Sequence, residues 1–119
     1  MTSKKDLGNR GEDMAVDYLV AKGYAILDRN WRSGHKEIDI VARDGDVLVA
    51  VEVKTRKTDT FGEPELAVGA LKQRKLMWAM DAYMRHHGLD LDVRFDIVSI
   101  VVTDSGRHIE HLEDAFIVT

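Results

Sequence analysis

The 119-residue chain has no cysteine, which excludes disulfide staples and thiolate metal sites and allows a reducing compartment. No apolar run approaches the roughly 20 residues needed to cross a bilayer. The start of the chain, Met1 to Asp6, is polar and lacks the apolar stretch of a signal peptide. Repeats, low-complexity tracts and Pro/Gly/Ser-rich linkers are missing too, so residues 1–119 are read as one domain. These absences lead to the expectation of a cytoplasmic, non-membrane protein. An excess of positive charge is also lacking. The net charge is −4, which argues against a generic polycation coating nucleic acid. A local basic surface is still open, since Lys54, Arg56, Lys57, Lys72, Arg74 and Lys75 gather around one loop. The apolar share is 45% and the charged share 32%. A core can form, but with little surplus apolar surface to offset buried unpaired charge.

From Asp6 to Lys22 the apolar residues Leu7, Met14, Ala15, Tyr18 and Leu19 fall at helical spacing, and Gly23 is a stop. Tyr24–Arg32 reads as a short strand. Lys36–Arg43 and Asp46–Thr55 read as two strands joined by Asp44-Gly45, a strong hairpin signal. A polar loop covers Thr58–Glu63. The next helix starts at Pro64 or at Gly69 and runs to His87, before Gly88. Val93–Val102 is an apolar strand, and Arg107–Leu112 a weaker one after Ser105-Gly106. The expected order is αβββαββ, an α/β fold.

The hairpin carries the chemistry. With Asp44-Gly45 as the turn, Arg43 faces Asp46 and Glu37 faces Glu52. One face then holds Ile38, Ile40, Ala42, Val47, Val49, Val51 and Val53, which must be core. The other holds Glu37, Asp39, Val41, Leu48, Ala50, Glu52 and Lys54, with Asp39 the diagonal neighbour of Glu52. Two carboxylates about 5 Å apart repel by roughly 3 kcal/mol at an effective dielectric of 20. Lys54 supplies one counter-charge, and a divalent cation such as Mg²⁺ would supply the rest. From spacing alone, a solvated acidic face is an equally good reading. Two further residues favour a site. Glu12 lies within the apolar arc of the first helix, and Gln73 lies among Leu66, Gly69, Met77 and Met80 if the second helix is continuous. Inward-facing polar groups need partners.

Asp39, followed by Glu52-Val53-Lys54 on the next strand, resembles the D…ExK signature of the PD-(D/E)XK nucleases. Gly11-Glu12, Asn30-Trp31-Arg32, Glu37-Ile38-Asp39, Val51 to Arg56 and Lys72-Gln73 together resemble the YraN family. That bacterial family is classed with Holliday-junction-resolvase-like and tRNA-endonuclease-like folds. The likeness extends from about Leu7 to Phe116. One departure is Lys36, where the family usually has glycine before the Glu-Ile-Asp stretch.

The resemblance implies a restriction-endonuclease-like mixed sheet flanked by helices, and metal-dependent phosphodiester hydrolysis in DNA, in branched or single-stranded forms. Mg²⁺ or Mn²⁺ would lie between Asp39, Glu52 and the Val53 carbonyl, with Glu12 joining from the first helix. Lys54 would orient the attacking water or neutralise the phosphate, and Gln73 would position Lys54 or the water. Arg32, Arg56, Lys57 and Lys72 would hold flanking phosphates, and a homodimer would suit a junction substrate. Two other classes stay open: a nucleic-acid-binding module without turnover, and a structural protein in which Glu52 and Lys54 only pair.

Other signals carry less. His108 and His111, three apart on a strand, point to opposite faces and cannot chelate one ion. His86 and His87 suit the end of a helix. Trp31 and Trp78 are read as core or rim packing, and Ser33-Gly34-His35 lacks the context of a nucleophile elbow.

Overall fold

Seven elements follow one another in the computed structural model, which describes residues 4–57 and 68–116. They are α1 (Lys4–Ala21), β1 (Ala25–Ser33), β2 (Lys36–Asp44), β3 (Val47–Lys57), α2 (Ala70–His87), β4 (Asp92–Thr103) and β5 (Gly106–Leu112). The order αβββαββ agrees with the sequence reading. Its loop Thr58–Glu63 and Pro64 lie outside the described residues. Helix α2 takes the later of the two starts, with Gly69 at its N-cap, and ends at Gly88 in the left-handed region (φ 63°).

The strands form one sheet in the order β1-β2-β3-β4-β5. Only β3 and β4 run parallel, because the crossover between them passes through α2; the other neighbours are antiparallel. Helix α1 covers one face, where Ala15 and Leu19 pack on Ile40, Ala42, Val49, Val51, Val98 and Ile100. Helix α2 covers the other, where Leu76, Ala79, Met80 and Tyr83 meet Ile38, Val41, Leu48, Ala50 and Phe95. With both faces covered, the central strands are apolar on both sides. The face expected to carry exposed acids therefore contributes Val41, Leu48 and Ala50 to core. Among the described residues no helix is long and apolar enough to cross a membrane.

The hairpin register is two residues away from the expected one. Asp44 faces Val47 and Ile40 faces Val51, so the turn is Gly45-Asp46 rather than Asp44-Gly45. Gly45 takes φ 60°, the backbone a two-residue turn demands of its first central residue. A shift of two keeps every side chain on its face, which is why most of the predicted core survived. Glu37 faces Arg32 of β1 instead of Glu52.

Ile38 is the exception. It packs on the α2 side and Ile40 on the α1 side, although residues two apart on a regular strand share a face. The alternation breaks at Asp39.

Candidate functional site

Asp39 breaks the strand because its side chain does what a backbone would otherwise do. The paired residues of β2 and β3 end at Ile40 and Val51. One step further the same register would set Asp39 opposite Glu52. Instead the Val53 N–H donates to Asp39 Oδ2 at 2.9 Å, and the two strands open into a fork with a carboxylate in it. A cleft of about 560 Å³ lies there, lined by Glu12, Asp39, Val53, Thr55 and Arg56 among others.

Glu12 reaches the cleft from α1 and is itself buried. Its Oε1 accepts hydrogen bonds from Arg29 Nε at 3.1 Å and Asn30 Nδ2 at 2.8 Å. The preceding Gly11 lets the helix come this close. A Cβ there would overlap the Thr55 side chain, at 2.7 Å from Cγ2 and 2.8 Å from Cβ. Glycine inside a helix costs about 1 kcal/mol relative to alanine; here the close approach to β3 requires it.

Glu52 projects toward α2, since its neighbours Val51 and Val53 pack on the α1 side. Lys72, in the first turn of α2, pairs with it at 3.6 Å. Lys54 is on the same side by alternation and its charge also favours ionised Glu52. Burial nevertheless raises the Glu52 carboxyl above its ordinary range. Asp39 is pushed further, to about 7, by burial and then by the Glu52 charge, against the Val53 N–H and Lys72. Glu12 adds a smaller upward push. Asp39 therefore senses the charge of both Glu52 and Glu12 across the fork. Among the described residues, no three acidic or histidine side chains form a ready-made metal cage.

The remaining residues divide. Arg56 lines the cleft, and Lys57 is exposed at the end of β3. Gln73 is half-buried, and its amide donates to the Val68 carbonyl at 2.7 Å at the start of α2. Arg32 is exposed, pairs with Glu37 at 3.6 Å, and lines a separate cleft with His35 and Lys36. Lys36 therefore sits at the β1–β2 turn, away from the large cleft.

Sequence reasoning passed over a second polar cluster, built on Asp96. Arg94 grips both Asp96 oxygens, Nε to Oδ1 at 2.9 Å and Nη2 to Oδ2 at 3.0 Å. The Asp114 N–H donates to Oδ1 at 3.0 Å, and His111 Nε2 lies 2.8 Å from Oδ2. Lys22 Nζ is 3.0 Å from His111 Nδ1; an ammonium only donates, so the ring accepts there and donates from Nε2. His108 is exposed beside Glu110, so the two histidines share nothing. A signal for this cluster was present: Arg94 and Asp96 stand in an otherwise apolar strand, where buried charge demands partners.

The profile of "Uncharacterised protein family UPF0102" matches residues 11–100. A UPF0102 protein of Phocaeicola vulgatus is 47% identical over 116 residues, covering 98% of this chain and 96% of the relative. One from Christiangramia forsetii is 43% identical, covering 98% of both chains. One from Geobacter sulfurreducens is 48% identical over 114 residues, covering 94% and 89%. The matched span contains Glu12, Asn30, Asp39, Glu52, Lys54 and Lys72; Glu12 and Asp39 line the large cleft, and Lys54 lines a smaller one with Thr55, Arg56 and Ser99. This chain belongs to the UPF0102 family.

Proposed function

We propose that this protein is a divalent-metal-dependent endonuclease of the PD-(D/E)XK type, hydrolysing phosphodiester bonds in branched or single-stranded DNA. On this reading it works in the cytoplasm and meets a junction as a homodimer. The supporting observation is the half-buried Asp39 carboxylate in the β2–β3 fork, between Glu12 and Glu52 and beside an open cleft.

The donor chemistry fits the cofactor. Asp39, Glu52, Glu12 and the Val53 carbonyl offer oxygen alone, the preference of Mg²⁺ and Mn²⁺. An Asp39 carboxyl raised to about 7 marks a place where negative charge is costly and a cation is welcome. When bound, such an ion supplies an acidified water and neutralises charge on the scissile phosphate. Asp39 and Glu52 would hold it, with Glu12 and the Val53 carbonyl joining them. Lys54 steadies the attacking water or the phosphate oxygen that gains charge. Gln73 orients Lys54 or the water. Arg56 and Lys57 hold flanking phosphates, with Arg32 reaching one further along. Lys72 joins them only in competition with its pair to Glu52.

That pair also favours a second reading. Because Lys72 already offsets part of the Glu52 charge, the fork can stand without metal, as a nucleic-acid-binding module without turnover would need.

Single-turnover cleavage of junction, flap and single-stranded DNA with Mn²⁺, at saturating protein, separates the two. Lys54→Ala is expected to keep binding and to lose on the order of 10²–10³ in cleavage rate. Wild type that binds the panel and cuts nothing supports the binding module. Equal rates for wild type and Lys54→Ala would remove Lys54 from the active site.

A further inference from the structure

Asn30 lies inside β1, yet its φ is 51°. Left-handed backbone is uncommon for any residue but glycine, though asparagine tolerates it best. Strain of this kind persists only where its surroundings enforce it, and it gathers at functional sites. The flanking pairs, Arg29 with Ile40 and Trp31 with Ile38, put Asn30 across from Asp39. The irregular residue of β1 thus faces the irregular residue of β2.

The left-handed residue has a chemical consequence. Consecutive side chains on a regular strand point to opposite faces. Here Arg29 and Asn30 both donate to the same atom, Glu12 Oε1, at 3.1 and 2.8 Å. Arg29 also donates from Nη2 to Asp13 Oδ1 at 2.6 Å, tying the pair to the next residue of α1. A glutamate side chain in mid-helix would otherwise sample several rotamers; two donors converging on one oxygen restrict it.

We infer that Asn30 is a positioning residue for the metal site: through its left-handed backbone and side-chain amide it aims Glu12 at the fork. This rests on the function proposed above. The amide touches neither metal nor substrate and acts only through Glu12. Partners that orient a ligand in this way are typically worth 10–100-fold in metal affinity.

The test is Mn²⁺ binding by calorimetry to wild type, Asn30→Gly, Asn30→Ser, Glu12→Gln and the Glu12→Gln/Asn30→Gly double variant, with melting temperatures alongside. Asn30→Gly keeps the left-handed backbone accessible and deletes the amide. Asn30→Ser keeps a small polar residue there without adding charge beside the cation, and its hydroxyl is too short to reach Glu12 Oε1 as the amide does, so it reports even where the glycine variant folds poorly. Each is expected to weaken Mn²⁺ binding by about tenfold or more. In the Glu12→Gln background Asn30→Gly should cause no further loss, because the residue it positions has already been disabled. Equal losses in both backgrounds would overturn the inference. So would lowered melting temperatures with wild-type affinity, the signature of a brace that merely holds α1 to β1. Wild type that binds no Mn²⁺ defeats the metal-site reading itself, and the inference with it; binding unchanged by both Asn30 variants defeats the inference alone.

Discussion

Two aspartates on neighbouring parts of the same sheet have opposite fates. Asp96 is almost fully buried, yet its carboxyl stays below the ordinary range. Burial pushes it up, but His111, the Arg94 guanidinium and the Asp114 N–H together push it further down. Asp39 is less buried, and its carboxyl rises to about 7 through burial and the Glu52 charge. The difference lies in the partners the chain itself provides. Around Asp96 every oxygen is answered by a donor. Around Asp39, among the described residues, one backbone N–H and the charge of Lys72 oppose two neighbouring carboxylates. A completed cluster holds a fold together; on the function proposed above, the cluster around Asp39 is completed by a cation.

The comparison can be broken most sharply at Arg94. Arg94→Met leaves Asp96 buried without its bidentate partner, and removing one member of a buried pair costs about 3–5 kcal/mol. Urea denaturation should show a loss of that size. A loss below about 1 kcal/mol would mean that the cluster does not hold the fold and that the contrast with Asp39 is superficial.

Asp39→Asn should act in the other direction. The carboxyl ionises near pH 7 in the folded chain, against an ordinary value of 3.8. Between those two values the unfolded state releases the proton first, so wild-type stability falls as pH rises and levels off above about 7. Removing the carboxyl removes that decline. The variant should match wild type near pH 4 and exceed it by on the order of a few kcal/mol at pH 8. Added Mn²⁺ should narrow the gap by stabilising wild type alone. Asp96→Asn is the counterpart. Its lowered carboxyl contributes stability that is present above the ordinary aspartate range and lost as pH falls through its folded value. That variant should be weakened at neutral pH and show a shallower acid transition. An Asp39→Asn protein less stable than wild type at pH 8 would show that the fork needs the charge it carries.

The smallest effect is expected at Gly11, where α1 lies against β3. Gly11→Ala drives a methyl group into Thr55 and should cost about 1–3 kcal/mol, most of it recovered in a Gly11→Ala/Thr55→Gly double variant. Hydrogen exchange at the Asp114 amide, at the Asp96 cluster, should be unchanged below global unfolding. A loss of protection there would mean that the two regions are one cooperative unit.

Much of the frame was legible beforehand because it rests on local rules. The helices followed from 3–4 spacing ending at Gly23 and Gly88, and the hairpin strands from β-branched runs around a glycine turn. Glu12 was marked as inward-facing by its place on the helix, and the structure buries it. The register was misread because Asp44-Gly45 and Gly45-Asp46 are both acceptable turns, and only the pairing of whole strands chooses between them. Ile38 changed sides because Asp39 bonds to a residue fourteen positions away, which no periodicity reports. Arg29 and Asn30 were invisible as partners of Glu12, since a left-handed residue inside a strand leaves no mark in a polar stretch.

By itself, the sequence determined which segments are helix and strand, which sheet positions are apolar, and which few acids and lysines stand apart from that pattern. Those properties follow from side-chain spacing along a backbone with two regular periods. The tertiary structure decided what those charged groups meet. It opened the fork at Asp39, brought Glu12 over Thr55 through Gly11, gave Glu52 to Lys72 and closed Arg94, His111 and Asp114 around Asp96. Whether a buried carboxylate is neutralised or left wanting depends on neighbours tens of residues distant. Only packing brings them within the few ångströms over which charge and hydrogen bonds act.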